Sequence, residues 1–75
     1  MRRRSPTKDS LARNVLWLRR KRGYSQAELA LRARVTQALV SAVEGRRANP
    51  TVETLERMAR VLRVSVADLF TEAET

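Results

Sequence analysis

Apolar side chains recur along this chain at three- and four-residue intervals, separated by short polar punctuation. Leu11, Val15 and Leu18 make the first run, and Gly23 follows it, able to take the left-handed conformation that closes a helix. This spacing predicts a helix from Asp9 or Ser10 to Arg22. Leu29, Ala30 and Ala33 form the inner side of a second helix, opened by Ser25 and Glu28 at capping-box spacing. Thr36 is placed to cap a third, with Val40 and Val43 facing inward, Leu39 on the border and Gly45 at the end. Residues 46–50 read as a loop. Thr51 then caps a fourth helix marked by Val52, Leu55, Met58, Ala59 and Leu62. Ser65 and Asp68 open a short fifth helix that buries Val66 and Leu69, with Phe70 beside them. Strand alternation, internal repeats and low-complexity tracts are absent, and the connections are short. The expected fold class is all-α, a compact five-helix bundle. Residues 1–8 lack periodicity and contain Pro6, so they read as a flexible basic arm; 9–71 form the domain, and 72–75 a short acidic tail.

Composition narrows the functions open to such a bundle. At 75 residues there is room for one small domain. The chain has no cysteine and no histidine, which removes disulfides, thiolate zinc sites and the usual proton shuttle. It shows no paired acidic cluster and no phosphate-cradling glycine loop, so neither an enzyme nor a metal or cofactor site is expected. No apolar run approaches the roughly 20 residues of a membrane span, and the polar start MRRRSPTK is unlike a signal peptide. The expectation is a cytoplasmic protein working beside the nucleoid, with neither membrane nor small-molecule ligand.

Charge supplies the positive indication. Sixteen basic residues against eight acidic give +8, and fourteen of the sixteen are arginine, whose planar fork suits phosphates and guanine edges. The cations crowd at Arg2, Arg3, Arg4 and Lys8, at Arg19, Arg20, Lys21 and Arg22, and at Arg32, Arg34, Arg46 and Arg47, while Asp68, Glu72 and Glu74 lie near the end. A basic body with an acidic tail turns one face to a polyanion.

The second and third helices are joined only by Arg34, Val35 and Thr36. Two helices across so tight a turn form a helix-turn-helix unit, in which the second helix is presented to the major groove. Ala30 is small enough to let the helices approach inside the bend. An ordinary helical hairpin fits the spacing equally well.

The stretches LRRKRGYSQAELA, VTQALVSAVEGRRANPT and LRVSVADLF together resemble the phage-repressor type of helix-turn-helix domain, the family of lambda repressor and Cro, also called the XRE family. The resemblance covers residues 11 to 70. It implies a five-helix lambda-repressor-like bundle that binds double-stranded operator DNA, usually as a homodimer. It assigns Gln26 to a phosphate and to bracing the recognition helix, and Gln37 to base readout, for which glutamine can pair bidentately with adenine. Thr36, Ala38, Ser41 and Ala42 share the groove-facing side with Gln37. Arg46, Arg47, Asn49 and Thr51 match the loop and helix start that face phosphates. Arg19 and Glu44 match a structural ion pair linking the first helix to the third. Val66, Leu69 and Phe70 supply apolar material where the family places its dimer contact. A phage repressor, a restriction-modification controller and an antitoxin-like autoregulator all suit this architecture.

Two departures stand out. Arg34 occupies a turn position where the family usually has glycine, which predicts strain if φ is positive. Leu16, Trp17 and Leu31 fall where polar residues are typical. Exposed, they would mark an interface and support an alternative function, a protein-interaction module built on the same fold; Trp17 could equally fold over the arm. Binding to RNA is a lesser alternative, because one Phe, one Tyr and one Trp make no stacking platform.

Overall fold

The computed structural model describes residues 6–72. They form five helices, α1 (Pro6–Lys21), α2 (Gln26–Ala33), α3 (Gln37–Glu44), α4 (Val52–Leu62) and α5 (Val66–Leu69), with no strand among the described residues. α2 packs against α3 and α4, α1 against α3 and α5, and α4 against α5. The core they enclose contains Leu11, Val15, Leu29, Ala30, Ala33, Val40, Val43, Leu55, Met58, Ala59, Leu62 and Leu69. The inner faces expected for α2 and α3 are the buried ones, with Leu39 and Leu18 half-buried at the edge. None of the described helices is long and apolar enough to cross a membrane.

α1 begins earlier than the apolar spacing suggested. Pro6 occupies its first turn, where a missing N–H costs nothing, and Asp9 complements the positive end of the helix dipole. Residues 6–8 are therefore helix rather than arm. The rest of the expected arm and the last three residues of the acidic tail lie outside the described residues.

Helix starts follow side-chain chemistry. Ser25, Thr36, Thr51 and Ser65 each accept a hydrogen bond from the backbone N–H three residues on, at 3.0–3.1 Å. The reciprocal half of the capping box forms at Ser65, whose N–H donates to Asp68 Oδ2 at 3.0 Å. At Ser25 it does not form, because Glu28 accepts from Arg32 one turn later.

Helix ends are more unusual. α1 closes on Gly23 at φ 78°, but the equivalent left-handed residues after α2, α3 and α4 are Arg34, Arg46 and Arg63, at φ 61°, 62° and 63°. Each is held by a backbone bond from the following N–H to the last turn: Val35 to Ala30, Arg47 to Ala42 and Val64 to Ala59, at 2.8–3.0 Å. A left-handed non-glycine residue costs roughly 1–2 kcal/mol. The strain expected at Arg34 is present, and two further arginines share it. Gly45 itself keeps a negative φ of −91°.

Two apolar assignments are corrected. Val52 is 67% exposed: it opens α4, and its side chain leans toward the N-terminus and away from the core. Leu69 is fully buried in its own domain, so it has no surface to offer a second subunit; Val66 and Phe70 are half-buried against the same core. Asn14 secures α5. Its side-chain amide donates to the carbonyls of Leu69 at 2.9 Å and Thr71 at 2.8 Å, with Asp68 at 3.3 Å, satisfying carbonyls that a four-residue helix leaves open.

Candidate nucleic-acid interface

The orientation of α3 is fixed at its last residue. Glu44 accepts from Arg19 Nε at 2.7 Å and Nη2 at 3.0 Å, and from the Gln26 amide at 2.9 Å. One carboxylate thereby ties the end of α3 to the end of α1 and the start of α2. The third Arg19 nitrogen, Nη1, donates to the Tyr24 carbonyl at 2.9 Å and closes the α1–α2 connection. Both charged side chains are nearly buried, at 11% and 8% exposure. Burial pushes the Glu44 carboxyl up, but hydrogen bonds from Arg19 and Gln26 and the charges of Arg19 and Arg20 outweigh it, leaving the group below the ordinary glutamate range. Arg19 is correspondingly raised by its bond to Glu44. The ion pair expected between these two residues is therefore present, and the bracing expected of Gln26 has a defined partner.

With Val40 and Val43 turned inward and Glu44 anchored, Gln37, Ala38, Ser41 and Ala42 share the remaining arc of α3. Gln37 and Ala38 are exposed; Ser41 and Ala42 are half-buried. Thr36 lies at the head of this surface, its hydroxyl capping the helix through Leu39 N–H. This face carries few groups able to hydrogen-bond. The exposed amide of Gln37 is the longest of them.

The start of α2 meets the end of α3 through Gln26 and Glu44, and α4 starts after the short loop that follows α3; both helix starts are positive dipole ends. Gln26 is the first residue of α2, and Thr51 caps α4, accepting from Thr54 N–H and donating to Thr54 Oγ1. In the connecting loop the two arginines behave differently. The left-handed turn at Arg46 directs its side chain back to α1, where Nε meets Asp9 Oδ1 at 2.7 Å. Arg47 and Asn49 are exposed, and the Arg47 guanidinium lies over Gly45, where any β-carbon would collide with it. Arg46 is thus tied to the bundle, and Arg47 is the outward cation. The sequence carried no local signal for the Asp9–Arg46 contact or for Asn14, because both join segments far apart in the chain. No group of three potential metal ligands occurs among the described residues.

The apolar residues expected at a surface differ in exposure. Trp17 on α1 is 58% exposed, with the Lys21 ammonium 4.9 Å above its ring. Leu31 on α2 is 79% exposed. Leu16 is half-buried and lines a crevice of about 210 Å³ with Asp9, Ala12, Arg13, Glu44 and Arg46.

The helix-turn-helix family model matches residues 15–69 of this chain. Over 61 residues the chain is 39% identical to an uncharacterized HTH-type transcriptional regulator, y4dJ, of Sinorhizobium fredii, covering 81% of this chain and 79% of that one. Over 63 residues it is 35% identical to the HTH-type transcriptional regulator SinR of Bacillus subtilis, covering 83% of this chain but only 57% of SinR. Among solved structures, the hypothetical transcription factor NHTF from Neisseria superposes with a TM-score of 0.84 at 32% identity, covering 95% of this chain and 84% of that one. SinR in complex with DNA superposes with a TM-score of 0.78 at 34% identity, covering 81% of this chain and 98% of that one.

Proposed function

The chain belongs to the XRE-type helix-turn-helix family of DNA-binding transcriptional regulators, and from that premise we propose that it acts in the cytoplasm as a homodimer on a roughly palindromic operator, with α3 seated in the major groove. The observation that carries this reading is the rigid three-helix junction at Glu44, which leaves the Gln37 side of α3 outward and bare. Gln37 reads a base edge. Ala38 and Ala42 allow close approach or touch thymine methyls, and Ser41 contacts a base or a phosphate. The backbone at Gln26 and Thr51, with Arg47 and Asn49, holds flanking phosphates. Arg46 contributes from its seat on Asp9.

With few hydrogen-bonding groups on α3, much of the affinity comes from phosphates and the shape of the duplex. A twofold axis would set two α3 helices about 34 Å apart, one turn of DNA. Val66 and Phe70 supply the apolar surface near that axis.

The experiment is a salt titration of binding to duplexes selected from a random pool. Affinity should fall with a log–log slope near −0.9 per phosphate neutralised, and the selected sites should be symmetric. Binding indifferent to salt would refute the reading, and asymmetric sites would refute the dimer. Exposed Trp17 and Leu31 favour a second reading, a protein-interaction module. They lie on different helices, and Lys21 partly covers Trp17, so the duplex reading is the stronger.

A further inference from the structure

α2 and α4 end on a second cationic surface that the duplex reading leaves unused. Arg32, Arg34, Arg57 and Arg60 surround an open groove of about 360 Å³ floored by Ala33 and Val61. No acidic side chain lines it. Arg32 and Arg57 each share a carboxylate one turn back on their own helix, Glu28 and Glu53, at 3.0 Å in exposed pairs of the kind worth little. Arg34 and Arg60 have no ion pair among the described residues. Arg34 and Arg60 thus bring two uncompensated cations to the concavity, while the Arg32 guanidinium lies over the Tyr24 ring at 4.7 Å and Arg57 also reaches the Arg34 carbonyl at 3.5 Å. Its position follows from the helix directions. Arg32 and Arg34 lie about 9 and 12 Å along α2 from Gln26. Arg57 and Arg60 lie about 9 and 13 Å along α4 from Thr51.

We propose that this groove is a docking site for an extended acidic segment of a partner protein, engaged while the opposite ends of α2 and α4 hold DNA. This placement rests on the duplex reading above. Guanidinium forks pair bidentately with carboxylates. The half-buried Val61 gives the groove a small apolar floor beside the arginines. The concave shape admits a single extended chain, whereas a duplex is a wide convex rod. Arg34 is central because its left-handed backbone, at φ 61°, projects the side chain from the turn rather than along α2.

The probe is a fluorescein-labelled peptide of alternating glutamate and leucine, followed by anisotropy with the full chain, alone and on the selected duplex. The test variant is Arg34→Gly with Arg60→Gln. Glycine suits a left-handed residue, and glutamine preserves the α4 surface, so the fold is retained. The charge-matched control is Arg22→Gln with Arg63→Gly, outside the groove and using the same chemistry. Peptide affinity should fall about tenfold or more in the test variant and stay within about twofold in the control, since each lost charge-assisted contact is worth roughly a decade. The DNA-bound protein should still take the peptide, and duplex affinity should fall equally in the two variants. Equal loss of peptide affinity in test and control would overturn the proposal, reducing it to general charge. Absence of peptide binding would overturn it as well. Exclusion of the peptide by duplex, or a larger loss of duplex affinity in the test variant than in the control, would assign the groove to nucleic acid. Failure of the duplex reading is separately visible, as wild-type protein that retains no selected duplex.

Discussion

Arg19 and Glu44 lie side by side in a two-bond fork, Nε to Oε2 at 2.7 Å and Nη2 to Oε1 at 3.0 Å, across 25 residues of sequence. Neither charge has enough water to stand alone, so breaking the pair from one side strands the other. Arg19→Met or Glu44→Leu alone should each cost about 3–5 kcal/mol in denaturant unfolding. The double variant should cost far less than the sum, leaving mainly the lost bonds to the Tyr24 carbonyl and from the Gln26 amide, about 1 kcal/mol each. Additive losses would show that the two residues act independently.

The same carboxylate makes stability depend on pH in one direction. Its folded-state pKa lies below the ordinary value because Arg19 and Gln26 stabilise the anion against the cost of burial. The stabilisation is complete above the unfolded glutamate value of about 4.3 and is lost as pH falls through the lower folded value. Thermal melts should therefore decline from about pH 4 downward. In Glu44→Gln the decline should be shallower from a lower starting point. A wild-type and variant difference that is constant with pH would contradict the assignment.

In the proposed complex, base readout rests on Gln37. Gln37→Ala should weaken operator binding and relax preference at one base pair per half-site, by about 1–3 kcal/mol of discrimination. Reselection from a random pool measures it, and an unchanged site preference would remove Gln37 from the readout role.

The two loop arginines should separate. Arg47→Ala should lower affinity for operator and random duplex alike and flatten the salt slope by about 0.9. Arg46→Ala should flatten it less, because that side chain already has Asp9 as a partner. It should also show a stability loss of about 1 kcal/mol, because Arg46 is exposed although its partner Asp9 is largely buried. The reverse order would mean that Arg46 leaves Asp9 for the phosphate.

Arg63 offers a stabilising change. Its left-handed φ costs roughly 1–2 kcal/mol, against about 0.5–1 kcal/mol that glycine loses through its more flexible unfolded chain. Arg63→Gly should thus raise the unfolding free energy by up to about 1 kcal/mol. A destabilised variant would show that the arginine side chain contributes more to the native state than its backbone strain removes.

The bundle was legible because its signals are local. Ser25, Thr36, Thr51 and Ser65 announce helix starts, and the buried residues of α2, α3 and α4 repeat at helical spacing. Gly23 and Gly45 mark the ends of α1 and α3, whereas the ends of α2 and α4 carry no glycine marker because Arg34 and Arg63 stand there, and of these the family resemblance singles out only Arg34. Val52 fits the apolar period yet lies outside the core, since periodicity does not report where a core ends. Leu69 was legible as apolar but not as wholly interior, a matter of how α5 docks. The Arg46–Asp9 and Asn14–α5 contacts depend on tertiary placement and have no counterpart in spacing.

Backbone amide shifts of isotopically labelled protein, titrated with its selected duplex, test the central claim most directly. The account predicts the largest movements at Gln26, Gln37, Ala38, Ser41, Arg47 and Thr51. Movements confined to the surroundings of Trp17 and Leu31, with α3 unchanged, would contradict it.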